Sequence, residues 1–209
     1  MKHDILYLGS QSQSRQALLK EADIPFRLLE HSSDEVVERG DADFSAYVLA
    51  IAKHKMEHLI FPDFQSINPE HMFVLTADSL VRTLLSNQIL GKPADERDAK
   101  RMLRFLRDES AEVVTGCCLE KKIWDGTTWQ THEARLWTTR AVVEFFIDED
   151  SVDEYLTKVP QAYNSAGSAI IEGFGQNFFK SIQGSHTATR GLPIFELRQT
   201  LKALGFRFS

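Results

Sequence analysis

A chain of 209 residues with an ordinary balance of apolar and charged side chains can bury a real core, as one large α/β domain or two small ones. The formal net charge of −6 argues against broad binding to nucleic acid or an anionic membrane, while leaving room for a phosphorylated small molecule in a locally positive cleft. No apolar run approaches membrane-spanning length, and Met1-Lys2-His3-Asp4 leads into a strand rather than a signal peptide.

The first predicted strand, Ile5–Leu8, ends in Gly9-Ser10-Gln11-Ser12 and gives way to a helical pattern from Gln13 to Ala22, with Leu18 and Leu19 facing inward. Such a strand–loop–helix junction aims free N–H groups and the positive end of a helix dipole at one point, which suits a phosphate. Ser10 and Ser12 add hydroxyls, and Arg15 adds a planar fork that grips phosphate oxygens in pairs. The bland alternative is a helix cap.

Pro25–Leu29 reads as a second strand, followed by a polar loop over residues 31–35. From Phe44 to Ile60 the spacing of Val48, Ile51, Ala52, Met56 and Leu59 predicts a helix. Lys55 falls on or beside its apolar face, where a lysine either snorkels to water or reaches into a site. On the same helix His54-Lys55-Met56-Glu57-His58 matches the H-x-x-E-H pattern of one class of zinc metallopeptidases, although two histidines on a surface helix meet it easily.

Met72–Ala77 is a nearly continuous apolar run, as expected of a strand buried on both faces, and it stops at Asp78. A carboxylate beyond a strand end is a candidate metal ligand or general base, or else a turn residue bonded to its own backbone. A hairpin-like piece ends at Ile89-Leu90-Gly91-Lys92-Pro93, where the Lys92 cation is either simply solvated or beside a substrate that Gly91 leaves room to approach. Ala99, Met102, Leu103 and Leu106 mark another helix.

Glu112–Trp124 and Trp129–Ile147 are long strand-like stretches joined by the turn signal Asp125-Gly126. Cys117 and Cys118 lie side by side on the first of them, so their side chains face opposite ways and make a poor disulfide or metal pair. They read as reduced core residues of a cytoplasmic protein. Val152–Val159 is a short helix, residues 164–175 are rich in Gly and Ser, and Ile194, Leu197, Leu201 and Leu204 form a last helix with Pro193 in its first turn. Together the elements predict a single α/β unit over residues 1–209, a mixed twisted sheet flanked by helices, two-lobed with a central cleft.

In order and spacing these pieces resemble the Maf family of nucleotide pyrophosphatases over nearly the whole chain. The family's opening A-S-x-S-x-x-R-x-x-L-L falls on Gly9-Ser10-Gln11-Ser12, Arg15 and Leu18-Leu19; its I-P-F and D-E fall on Ile24-Pro25-Phe26 and Asp34-Glu35. Its helical lysine falls on Lys55, its A-D-T/S on Ala77-Asp78-Ser79, and its I-L-G-K-P on Ile89–Pro93. Its V-x-T-G falls on Val113-Val114-Thr115-Gly116, and its G-L-P on Gly191-Leu192-Pro193. The usual Pro after the second Ser is Gln13 here, and Ser14 replaces an aromatic or Arg. The late K-A-G-x-Y-x-I-Q-G of many members is replaced by Ser165-Ala166-Gly167-Ser168-Ala169-Ile170-Ile171-Glu172-Gly173-Phe174-Gly175, which looks like the subgroup acting on 7-methyl-GTP.

The resemblance implies a cytoplasmic, metal-dependent enzyme that cleaves a nucleoside triphosphate between its α- and β-phosphates, with 7-methyl-GTP as the expected substrate. The alternatives are dTTP or UTP as substrate, or an inactive nucleotide-binding regulator on the same scaffold. Ser10, Ser12, Arg15 and Thr115 are then expected to bind substrate; Lys55 and Lys92 to neutralise phosphate charge; and Glu35 and Asp78 to hold Mg²⁺ or Mn²⁺, or one of them to act as base. Ser168 and Glu172 are expected to meet the base, the carboxylate accepting from the N–H edge of guanine and being drawn to a positively charged 7-methylated ring. The family further implies a homodimer, with no nucleic-acid polymer and no membrane as partner.

Overall fold

The central strands of this protein are apolar on both sides because both sides are covered. In the computed structural model, which describes residues 3–32, 37–40, 42–62 and 71–208, β1 (Leu6–Leu8) lies parallel to β2 (Phe26–Leu28) and to β5 (His71–Thr83). Alternation along these strands splits the core. Leu6, Leu8, Phe73, Leu75, Ala77, Cys117 and Leu119 pack in one cluster with Leu18 and Leu19 of α1 (Gln13–Glu21) and Leu197 and Leu201 of α6 (Ile194–Ala203). Tyr7, Met72, Val74 and Cys118 pack in another with Met56 of α2 (Phe44–Glu57). The adjacent cysteines thus lie on opposite faces, each buried and free.

A seven-stranded sheet has the order β2-β1-β5-β7-β8-β9, with β6 (Ile89–Leu90) antiparallel to the end of β5 and β9 (Phe179–Gly184) antiparallel to β8. β7 runs over Ala111–Trp124 and β8 over Trp129–Phe145. A separate two-stranded ribbon pairs β3 (Glu30–His31) with β4 (Leu59–Ile60). The mixed sheet flanked by helices is the fold class expected from the sequence.

The chain divides into two compact units whose boundaries fall inside β5, β7 and β8 and just after α5 (His186–Thr189). Unit 1 comprises Met1–Asp78, Thr115–Thr138 and Gly191–Ser209; unit 2 comprises Ser79–Val114 and Thr139–Arg190. The core of unit 2 joins Ala99, Met102, Leu103 and Leu106 of α3 (Glu96–Asp108) to Val81, Leu90, Val143, Phe145 and the buried Tyr155 of α4 (Val152–Lys158). Those α3 positions repeat at three and four residues, as an amphipathic helix requires, and Asp95 caps its start by accepting from the Asp98 N–H at 2.8 Å. Among the described residues no helix is long and apolar enough to cross a membrane.

Three expectations are corrected. The second helix stops at Glu57 rather than Ile60, because Leu59, although at helical spacing from Met56, is taken by β4 to pair with His31. The strand through Met72–Ala77 does not end at Asp78 but continues to Thr83, since Val81 and Arg82 pair with β6 and the Asp78 carboxylate finds a cation partner. Pro193 caps α6 instead of entering it, its carbonyl accepting from the Leu197 N–H at 2.9 Å.

Candidate active site

In unit 1 the loop after β1 supplies two hydroxyls to one arginine. Ser12 caps α1, its Oγ accepting from the Arg15 N–H at 3.5 Å, while the Ser10 Oγ accepts from Arg15 Nη1 at 3.0 Å. Arg15 Nε donates to the Gly191 carbonyl at 2.8 Å, so the guanidinium is anchored from the loop and from the chain leading into α6. Its side chain is buried, which pulls it below the ordinary arginine range, and the nearby Asp78 carboxylate opposes that pull. Ser12 is thus spent on capping the helix, whereas Ser10 and Arg15 form one polar cluster.

Lys55 resolves its two sequence alternatives by reaching inward, with Nζ 2.5 Å from Asp78 Oδ1. α2 supports this contact from the preceding turn, where Thr76 Oγ1 donates to the Ala52 carbonyl at 2.6 Å. The Asp78 side chain is 15% exposed and that of Lys55 37%, so the pair is sheltered yet reachable from water. Thr115 is fully buried in β7, and Glu35 lies outside the described residues.

The neighbouring Gly116 explains the small residue of the V-x-T-G segment. A Cβ there would meet Leu49 Cα and the Val48 carbonyl at 2.9 Å, so α2 lies directly on β7 at this point. His54 and His58 do share a helix face, with Nδ1 atoms 3.2 Å apart, but His58 Nδ1–H donates to the His54 carbonyl at 2.8 Å and Glu57 pairs with Lys53. Among the described residues no group of three His, Cys, Asp or Glu side chains is placed to hold a metal ion.

Unit 2 places its expected residues on turns. Lys92 is exposed in the turn between β6 and α3, next to Gly91, whose carbonyl accepts from the Gly167 N–H at 2.9 Å. That bond ties the Lys92 turn to Ala166-Gly167-Ser168, where Gly167 sits at φ +67°. Ser168 is fully buried and its Oγ donates to the Ala162 carbonyl at 3.2 Å, so its hydroxyl serves the local fold. Glu172 accepts from Arg190 Nε at 2.8 Å; the arginine side chain is 11% exposed and the glutamate 34%.

A family model described as Maf-like protein matches residues 5–204. The chain belongs to that family. A relative from Halalkalibacterium halodurans, named dTTP/UTP pyrophosphatase, is 30% identical over 201 residues, 96% of each chain. One of the same name from Bacillus cereus strain G9842 is 32% identical over 197 residues, 94% of each chain. Another from Colwellia psychrerythraea is 30% identical over 203 residues, covering 96% of this chain and 89% of the relative.

Three participants in this Maf chain escape sequence reasoning. Arg190, the partner of Glu172, is an unremarkable cation ahead of Gly191-Leu192-Pro193, and nothing in its spacing marks it. Thr76 sits inside an apolar run and reads as strand filler. His31, in a stretch read as a polar loop, forms β3 and places Nε2 2.9 Å from the Gly9 carbonyl.

Proposed function

We propose that this chain hydrolyses a nucleoside triphosphate between the α- and β-phosphates, releasing a nucleoside monophosphate and pyrophosphate, with dTTP and UTP preferred. The observation that carries the reaction is the pairing of Lys55 with Asp78 in electrostatic reach of Arg15. Cations suited to phosphate oxygens and a carboxylate suited to a water or a metal thus meet in one unit.

In this reading Ser10 and Arg15 hold one phosphate, and Lys55 stabilises charge that builds on the phosphoryl oxygens as the water adds. The water oxygen bonds to the α-phosphorus, the bond from that phosphorus to the bridging oxygen breaks, and pyrophosphate leaves with the bond electrons. Asp78 either takes the proton of the attacking water or binds a divalent cation. Mg²⁺ and Mn²⁺ fit the donors available, because such ions take hard oxygen ligands from one or two carboxylates plus substrate phosphates and need no all-protein cage. Asp78, with Glu35 as the second expected donor, would hold the ion; when bound it lowers the pKa of a coordinated water and polarises the phosphate.

The base preference rests on the relatives, matched over nearly the whole chain and named for dTTP and UTP. The Arg190–Glu172 pair supports it: a guanidinium on the carboxylate offsets the charge that would attract a cationic base. The Glu172 carboxylate itself, within Glu172-Gly173-Phe174-Gly175, favours 7-methyl-GTP as a second reading.

Pyrophosphate release from dTTP, UTP, CTP, GTP and 7-methyl-GTP, with Mg²⁺ or Mn²⁺ and Asp78→Asn as control, tests both readings. Fast turnover of dTTP and UTP, lost in the variant, is the expected result. Preference for 7-methyl-GTP would transfer the assignment to the second reading. Release of inorganic phosphate instead of pyrophosphate would place cleavage at the wrong bond. Nucleotide binding without turnover would make the chain a regulator.

A further inference from the structure

The loop that carries Ser10 is gripped at the residue before it. The Gly9 N–H donates to the Leu75 carbonyl at 2.8 Å, continuing the β1–β5 ladder by one residue. The space a side chain would occupy at Gly9 is filled by Leu59 Cδ2 at 2.5 Å and Thr76 Cγ2 at 2.9 Å. The Gly9 carbonyl lies 2.9 Å from His31 Nε2. A carbonyl oxygen only accepts, so Nε2 carries the proton and donates.

His31 is itself held in place. It pairs with Leu59 across the β3–β4 ribbon, and the next residue closes the ribbon, the Ser32 N–H donating to the His58 carbonyl at 2.8 Å. Leu59 is also the side chain that fills the space at Gly9, so the ribbon holds the loop by packing and by a hydrogen bond at once.

A trans peptide is planar, with C=O and N–H pointing opposite ways. The Gly9–Ser10 peptide is trans, so fixing the Gly9 carbonyl on His31 turns the Ser10 N–H to the other side. The Ser10 Oγ is meanwhile committed to Arg15 Nη1 at 3.0 Å and to the Ser12 N–H at 3.3 Å. We infer that His31 is a positioning residue that aims the Ser10 N–H at a substrate phosphate oxygen by holding the Gly9 carbonyl from behind. The inference rests on the triphosphate reading above and deepens it, because it makes the β3–β4 ribbon part of the phosphate grip.

The test is steady-state kinetics on the full chain, with the nucleotide it turns over fastest and a thermal melt of each variant. His31→Phe keeps a ring and loses the donor; His31→Gln places an amide N–H at the same number of bonds from the backbone. An N–H contact made equally in ground and transition states acts on KM. His31→Phe is expected to raise KM about five- to tenfold with kcat within about twofold, and His31→Gln to bring KM back towards that of the unsubstituted chain. His31→Leu is the second donor-free variant should the phenylalanine disturb folding. An unchanged KM in a folded donor-free variant overturns the inference while leaving the enzyme reading intact. So does a His31→Gln KM as poor as that of His31→Phe. Absence of turnover in the unsubstituted chain overturns both.

Discussion

Thr76 Oγ1 donates to the Ala52 carbonyl at 2.6 Å, bolting α2 to β5 two residues before Asp78 and three before Lys55. The Lys55–Asp78 contact therefore inherits its register from a buried threonine bonded to the backbone of α2. Thr76→Val keeps the shape and removes the donor; a loss of about 1–2 kcal/mol is expected from the donor and the hydroxyl's replacement by a methyl group. Urea denaturation measures it. A variant as stable as the parent would show that the bond adds nothing net.

Removal of either partner of the Lys55–Asp78 pair is expected to act on the chemical step. Asp78→Asn should lower kcat by roughly 10²–10⁴, the range for loss of a positioned acid–base group. Lys55→Met should lower kcat/KM by about a hundredfold or more, through lost charge stabilisation. Pyrophosphate release at saturating nucleotide, with kcat and KM read separately, distinguishes these losses from weakened substrate binding.

Arg190→Met leaves the Glu172 carboxylate without the guanidinium that holds it at 2.8 Å. The ratio of 7-methyl-GTP to UTP turnover should then rise by several-fold, because an uncompensated carboxylate attracts the cationic ring. Glu172→Gln should move the ratio the other way. A ratio unmoved by both variants removes Glu172 from base selection.

Gly116→Ala adds a Cβ 2.9 Å from the backbone of α2 at Val48 and Leu49, atoms that cannot rotate away. The helix must shift off β7, at a cost of about 1–3 kcal/mol, visible as a lowered Tm. A Tm equal to that of the parent would show that α2 relaxes freely.

Burial pushes the Cys118 thiol up to about 12 and raises that of Cys117 further. At pH 8 only about one Cys118 in 10⁴ is then thiolate, so neither thiol should react with a chromogenic disulfide in the folded protein. Both should react on denaturation. Fast labelling of the native chain would contradict the packing described.

Burial by itself would raise the Asp4 carboxyl, but the Arg207 side chain and N–H, with a smaller part from His71, hold it below the ordinary aspartate value. A folded value below the unfolded one makes this contact stabilising above pH about 3.9, and the stability is lost as pH falls through the folded value. Asp4→Asn should cost about 1 kcal/mol at pH 7, discounted because the Arg207 side chain is half exposed, and progressively less below pH 4. Paired melts across pH 2.5–7 check the sign.

Much of the architecture is legible in order along the chain, because it depends on local periodicity. The buried spacing of α3, the alternation that sends Cys117 and Cys118 to opposite faces, the hairpin into Ile89-Leu90, and the serines and arginine opening α1 all follow from residue type and interval. What the interval does not encode is which element competes for a residue. Leu59 satisfies a helical spacing and still goes to β4, and β5 runs through Asp78 because Lys55, 23 positions earlier, meets its charge. The partners of single polar groups are likewise decided only in three dimensions. His31 finds the Gly9 carbonyl and Arg190 finds Glu172 across 22 and 18 residues. A hydrogen bond of that separation is fixed by packing of whole elements, and no local pattern of a chain records it.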